Sequence, residues 1–132
     1  MQRQCDSTLT VARFLAKHPA VGWVSYPGLD GDKYNALAKQ YTPKGSGAVF
    51  TFGVKGGYEA GVKLVSNLKL FSHLANIGDT RSLVIHPAST THRQLTEEQQ
   101  VTAGAGPDVV RLSIGLEDPA DLIADLDQAL GS

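Results

Sequence analysis

The segment AVFTFGV, residues 48–54, constrains the fold more than any other stretch of the chain. Side chains of a strand point alternately to opposite faces. Ala48, Phe50, Phe52 and Val54 therefore share one face, and Val49, Thr51 and Gly53 share the other. VVRLSIG (109–115) repeats the pattern, with Val110, Leu112 and Ile114 opposite Val109, Arg111 and Ser113. Two strands that are uniformly apolar on one side and mixed on the other call for a sheet that packs helices on the first side and leaves the second open to water or a partner.

The remaining segments supply those helices and the other strands. Periodicity predicts a helix over about Ser7 to Lys17, stopped by Pro19. VGWVSY (21–26) reads as a strand and PGLDGD (27–32) as a turn. A second helix carries Tyr34, Leu37, Ala38 and Tyr41 as its apolar stripe; a third carries Tyr58, Gly61, Val62, Val65 and Leu68. KLFS (69–72) and SLVIH (82–86) read as strands, the latter an edge or an end because Pro87 follows. Thr96 and Gln99 form a capping box. Asp118 caps a last helix with Pro119 in its first turn and Leu122, Ile123, Leu126 and Leu130 buried. The expected architecture is a two-layer α+β domain: a small, mostly antiparallel sheet with helices on one face.

Composition excludes several classes of function. The 132 residues suit one domain, expected to span 1–132. A net charge of -1, with 12 scattered basic residues, offers nothing to nucleic acid or an anionic membrane. No apolar run approaches the ~20 residues that span a bilayer. The N-terminus has no signal-peptide core, and the single Cys5 fits a reducing compartment, so a cytoplasmic protein is expected.

LVIHPASTTH (83–92) is the stretch richest in reactive side chains. If it is extended, His86 and His92 lie about 20 Å apart. No Asp, Glu or Cys stands between them, so no metal site is expected. Ser89 with His92 as base, or Cys5, lacks the sequence context that exposes a nucleophile. KGSG and GVKGGYEAG match no phosphate-binding loop, and their glycines are read as permitting turns. Arg111 stands mid-strand on the open face. A guanidinium fork suits a carboxylate, but alternation fixes only its side, and on pattern alone a solvated arginine or a local salt bridge is the favoured reading.

Three segments carry a resemblance: SNLKLFSHLANIGDTRSLVIHPASTTH (66–92), LTEEQQVTAG (95–104) and VVRLSIGLEDPADLIADLDQAL (109–130). Together they resemble the C-terminal domain of the PLP-dependent Cys/Met-metabolism enzymes. Within that family they are most similar to the O-acetylhomoserine sulfhydrylase branch. HPAVGWVSYPGL and GAVFTFGVKGGYEAG extend the likeness over essentially the whole chain. The resemblance implies a transferase that exchanges the acetoxy group of O-acetylhomoserine for sulfide or a thiol. It also implies pyridoxal 5'-phosphate as cofactor and a homo-oligomer for the full-length enzyme. The family's cofactor-binding domain, with its imine-forming lysine, precedes this one. No segment here matches it, so none of Lys17, Lys33, Lys39, Lys44, Lys55, Lys63 or Lys69 takes that role, and this chain alone is expected inactive and without bound cofactor. By the same resemblance, Arg111 binds the substrate α-carboxylate. Asn76 stands where many relatives have a serine that helps hold it, and Ala75 lies where relatives differ. The rival expectation is a stand-alone module that binds a small molecule or a protein with the same fold.

Overall fold

The structure, a computed structural model, describes residues 1–131. Its elements run α1 (Gln2–Lys17), β1 (Val21–Ser25), α2 (Asn35–Tyr41), β2 (Val49–Val54), α3 (Gly57–Asn67), β3 (Ser72–His73) and β4 (Leu83–Ile85). A single 3-10 turn (Pro87–Ser89), α4 (Glu97–Thr102), β5 (Val109–Ser113) and α5 (Pro119–Gly131) follow. The five strands form one sheet in the order β1-β2-β5-β4-β3. Every pairing is antiparallel except β3 with β4. β5, the last strand in sequence, is thus the middle of the sheet.

The alternation in β2 and β5 sets the core. Phe50, Phe52 and Val54 join Val110, Leu112 and Ile114 in a cluster closed by Val11, Ala12 and Leu15 of α1, Leu64 of α3 and Leu122, Leu126 and Ala129 of α5. Burying such side chains contributes about 1.5–3 kcal/mol each against the entropy of ordering them. A bulge at Gly22 lets Val21 face this core while Trp23 turns to the other side. There the indole lies over Gly53, where any Cβ would collide with it, and donates to Asp108 Oδ2 at 2.9 Å.

The second face is open over only half its width. Around β1 and β2 it is accessible, with Trp23 and Ser25 exposed and Val49 and Thr51 half-buried. Around β4 and β5 it is closed, with Leu83, Ile85 and Val109 all buried. The helical stripes also differ from expectation. α2 buries no residue, so Tyr34, Leu37 and Tyr41 are exposed. α3 buries Gly61 and Leu64 and leaves Tyr58 and Val62 at the surface. β4 is an interior strand that ends before Pro87 rather than an edge.

Capping is as the sequence predicts. Thr96 accepts from the Gln99 backbone while the Gln99 side chain accepts from the Thr96 backbone. Asp118 Oδ1 accepts from Ala120 N at 2.8 Å. No helix among the described residues is long and apolar enough to cross a membrane.

Candidate functional site

β5 carries Arg111 at the centre of the sheet, between Thr51 of β2 and Ile85 of β4. Both neighbours share its face by register, and neither can neutralise a cation. Arg111 is half-buried, and no side chain among the described residues bonds its guanidinium or pairs with its charge. Local salt bridging, one of the sequence-based alternatives, is thereby excluded among these residues. A guanidinium with all five N–H donors unspent is free either for water or for a planar anion.

Asn76 belongs to the exposed loop between β3 and β4. Its Oδ1 accepts from the Ile77 backbone at 2.8 Å, which turns the amide and reserves its NH2 for donation. No hydrogen bond joins Asn76 to Arg111. The loop that carries Asn76 re-enters the sheet beside the end of β5. There Leu116 N donates to Thr80 O at 2.8 Å, and Gln4 Nε2 bridges Asp79 O and Ile114 O. Glu117 accepts from Ser82 N at 2.8 Å and from Ser82 Oγ at 2.7 Å, and Ser82 Oγ in turn accepts from Gly115 N. This clamp fixes the loop's return relative to β5. Sequence reasoning missed Gln4, Ser82 and Glu117, which act only across long sequence separations and carry no local signature.

LVIHPASTTH proves to be a fastening. The segment folds back on itself, with His92 N donating to Pro87 O at 2.8 Å, rather than running extended. His86 is fully buried, and its Nε2 donates to Pro107 O at 2.6 Å. A carbonyl can only accept, so this bond fixes the proton on Nε2 and leaves Nδ1 to meet Ser89 Oγ at 2.8 Å. Ser89 is thus paired with His86, not with His92, whose Nδ1 meets Thr91. The imidazole packs edge-on to Tyr58 and against Gly61, where a Cβ would come within 2.5 Å of the ring. Gly61 is a packing slot rather than a turn glycine. A wholly buried ring with both nitrogens engaged cannot serve as base to an arriving substrate. Cys5 lines a cavity of about 300 Å³ between α1, α2 and the loop after α2, and no histidine lines it. No group of three or more metal-ligating side chains converges among the described residues.

The fold defines a class: an α+β domain with an unpaired arginine in the middle strand of its sheet. Over residues 1–131 the chain matches the family described as Cys/Met metabolism PLP-dependent enzyme, and it belongs to that family. It is 54% identical over 129 residues to O-acetyl-L-homoserine sulfhydrylase 1 of Thermus thermophilus, covering 98% of this chain and 31% of that protein. It is 47% identical over 130 residues to an L-methionine gamma-lyase of Fusobacterium nucleatum, covering 98% of this chain and 33% of that one. A crystal structure from Campylobacter jejuni, described as an O-acetylhomoserine (thiol)-lyase and carrying a pyridoxyl-lysine phosphate, superposes with a TM-score of 0.91 at 43% identity. That match covers 98% of this chain and 31% of the other. The chain therefore spans about a third of the length of the relatives it matches.

The family is PLP-dependent, and the residues of this chain do not fit the cofactor's covalent site. All seven lysines are exposed on the surface. An imine-forming lysine needs a sheltered setting that lowers its affinity for a proton.

Proposed function

We propose that residues 1–132 are the C-terminal, substrate-facing domain of a PLP-dependent O-acetylhomoserine sulfhydrylase. The enzyme exchanges the acetoxy group of O-acetylhomoserine for sulfide or a thiol. It gives homocysteine or methionine, and acetate leaves. It works in the cytoplasm as a homo-oligomer, with the cofactor held by another part of the polypeptide.

In this reading Arg111 takes the substrate α-carboxylate in a two-pronged pair, and Asn76 donates a further hydrogen bond through its amide. A carboxylate gripped at two points can rotate neither about its own axis nor away from the sheet. The Cα–H and the γ-carbon are thereby presented in one orientation. The half-buried setting strengthens the pair relative to one in water. The observation that carries the reading is the unpaired guanidinium at the centre of β5.

Arg111→Lys in the intact enzyme tests it. An ammonium keeps the charge and loses the fork. KM for O-acetylhomoserine is expected to rise about tenfold or more, the worth of one charge-assisted hydrogen bond, with a smaller change in kcat. An unchanged KM removes Arg111 from the carboxylate site.

A further inference from the structure

One buried polar side-chain atom among the described residues has no hydrogen-bond partner, and it is Ser113 Oγ. The residue is 3% exposed. The other buried polar groups of this region are satisfied: Ser82 by Glu117 and Gly115, Gln4 by two carbonyls, His86 by Pro107 and Ser89. An orphaned buried hydroxyl is rare and costly, and it calls for a partner that arrives in the working state.

Its position says which partner. Ser113 follows Arg111 by two residues on the same strand, so both side chains rise from one face, with about 6.6 Å of strand between them. That separation is within reach of an arginine side chain laid along the strand. The cross-strand neighbours of Ser113 are Val49 and Leu83, both apolar, so neither competes for the hydroxyl. Arg111 is also the nearest side chain on that strand face toward the middle of the sheet, and it too lacks a partner. An unpaired acceptor and an unpaired cation with five donors thus stand side by side.

We propose that Ser113 is a positioning residue for Arg111: its Oγ accepts one guanidinium N–H when the substrate carboxylate occupies two others. The inference rests on the carboxylate-clamp reading of Arg111 and deepens it. A carboxylate uses two of the five N–H donors, and the rest need acceptors once water is expelled. Meeting one of them at Ser113 satisfies that donor and points the fork at the substrate. The same end of the strand receives the return of the loop that carries Asn76.

The experiment is a cycle of Ser113→Ala, Arg111→Lys and the double variant in the intact enzyme, with steady-state kinetics and thermal unfolding of each. Ser113→Ala is expected to raise KM for O-acetylhomoserine about tenfold, with kcat within about twofold and the unfolding midpoint unchanged or higher. Ser113→Thr, which keeps the hydroxyl, is expected to keep KM. In the Arg111→Lys background the alanine change is expected to add nothing, because it acts through the fork. If Arg111→Lys raises KM and Ser113→Ala does not, Ser113 has no such role and the arginine reading stands. If Arg111→Lys itself leaves KM unchanged, both fall. A Ser113→Ala effect that adds in full to that of Arg111→Lys, or that appears as a lowered midpoint with a parallel loss of kcat, overturns the positioning role.

Discussion

At the residue scale, two side chains invite direct tests beyond the arginine. Asn76 offers its NH2 because its Oδ1 is committed to Ile77 N. Asn76→Asp keeps the shape and that acceptor but adds a negative charge in place of the donor. KM for the amino-acid substrate is expected to rise by about fivefold or more from like-charge repulsion, read in the intact enzyme by steady-state kinetics. Asn76→Ser restores a small donor and is expected to remain within about twofold. Tyr26 reports on the fold. Its hydroxyl donates to Gly47 O at 2.9 Å, and burial, with added repulsion from Cys5 and Asp6, pushes its pKa up to about 12 from 10.0. Below pH 10 the phenol is protonated in both folded and unfolded chains and pH does not matter. Between 10 and 12 the unfolded phenol loses its proton while the folded one keeps it. The unfolded state then binds fewer protons, and stability falls with a slope approaching about 1.4 kcal/mol per pH unit from this group. Tyr26→Phe is expected to flatten that part of the alkaline loss, measured by denaturant unfolding at a series of pH values.

At the element scale, the test lies where α3 meets His86. The ring is pinned by Pro107 and Ser89 and cannot yield to a methyl group at position 61. Gly61→Ala is therefore expected to destabilise the protein by about 1–3 kcal/mol, despite alanine's better helix propensity, as a lowered denaturant midpoint at constant slope. The contrast shows what was legible in the sequence. β2, β5 and both helix caps could be read because alternation and capping are local, within a few residues. The α2 stripe was misread because periodicity states that a helix has an apolar side, not that anything covers it. The α3 stripe was read in part: Gly61, Val65 and Leu68 face inward as predicted, but Leu64 takes the buried place that Tyr58 and Val62 were expected to share, because neighbouring apolar positions compete for the inward direction. Arg111 could be assigned a face by alternation. Its lack of a partner, and that of Ser113, could not be read, because each depends on every strand that might have supplied one. Asp125 did leave a trace: a carboxylate inside the apolar stripe of α5, where it accepts from Lys69, Leu70 and Phe71 N.

At the scale of the whole molecule, one hydrophobic cluster is shared by α1, α3, α5 and the middle of the sheet. Residues 1–132 are accordingly expected to unfold as one domain. Calorimetry should give a single transition with equal calorimetric and van't Hoff enthalpies and a heat-capacity change of about 1.6–2 kcal/mol/K. Two resolved transitions would divide the chain. The strand order has a consequence in time as well as in space. β5 joins the β1-β2 ribbon to the β4-β3 ribbon, yet it leaves the ribosome after all of them. Until it emerges the nascent chain holds two unjoined strand pairs, one antiparallel and one parallel, each with unpaired edges exposed to any neighbouring polypeptide. The strand that completes the sheet is also the one that carries Arg111. Synthesis that stalls before residue 109 thus yields a product with neither a complete sheet nor the arginine proposed to hold substrate, which a cell's proteases can recognise by its open edges alone.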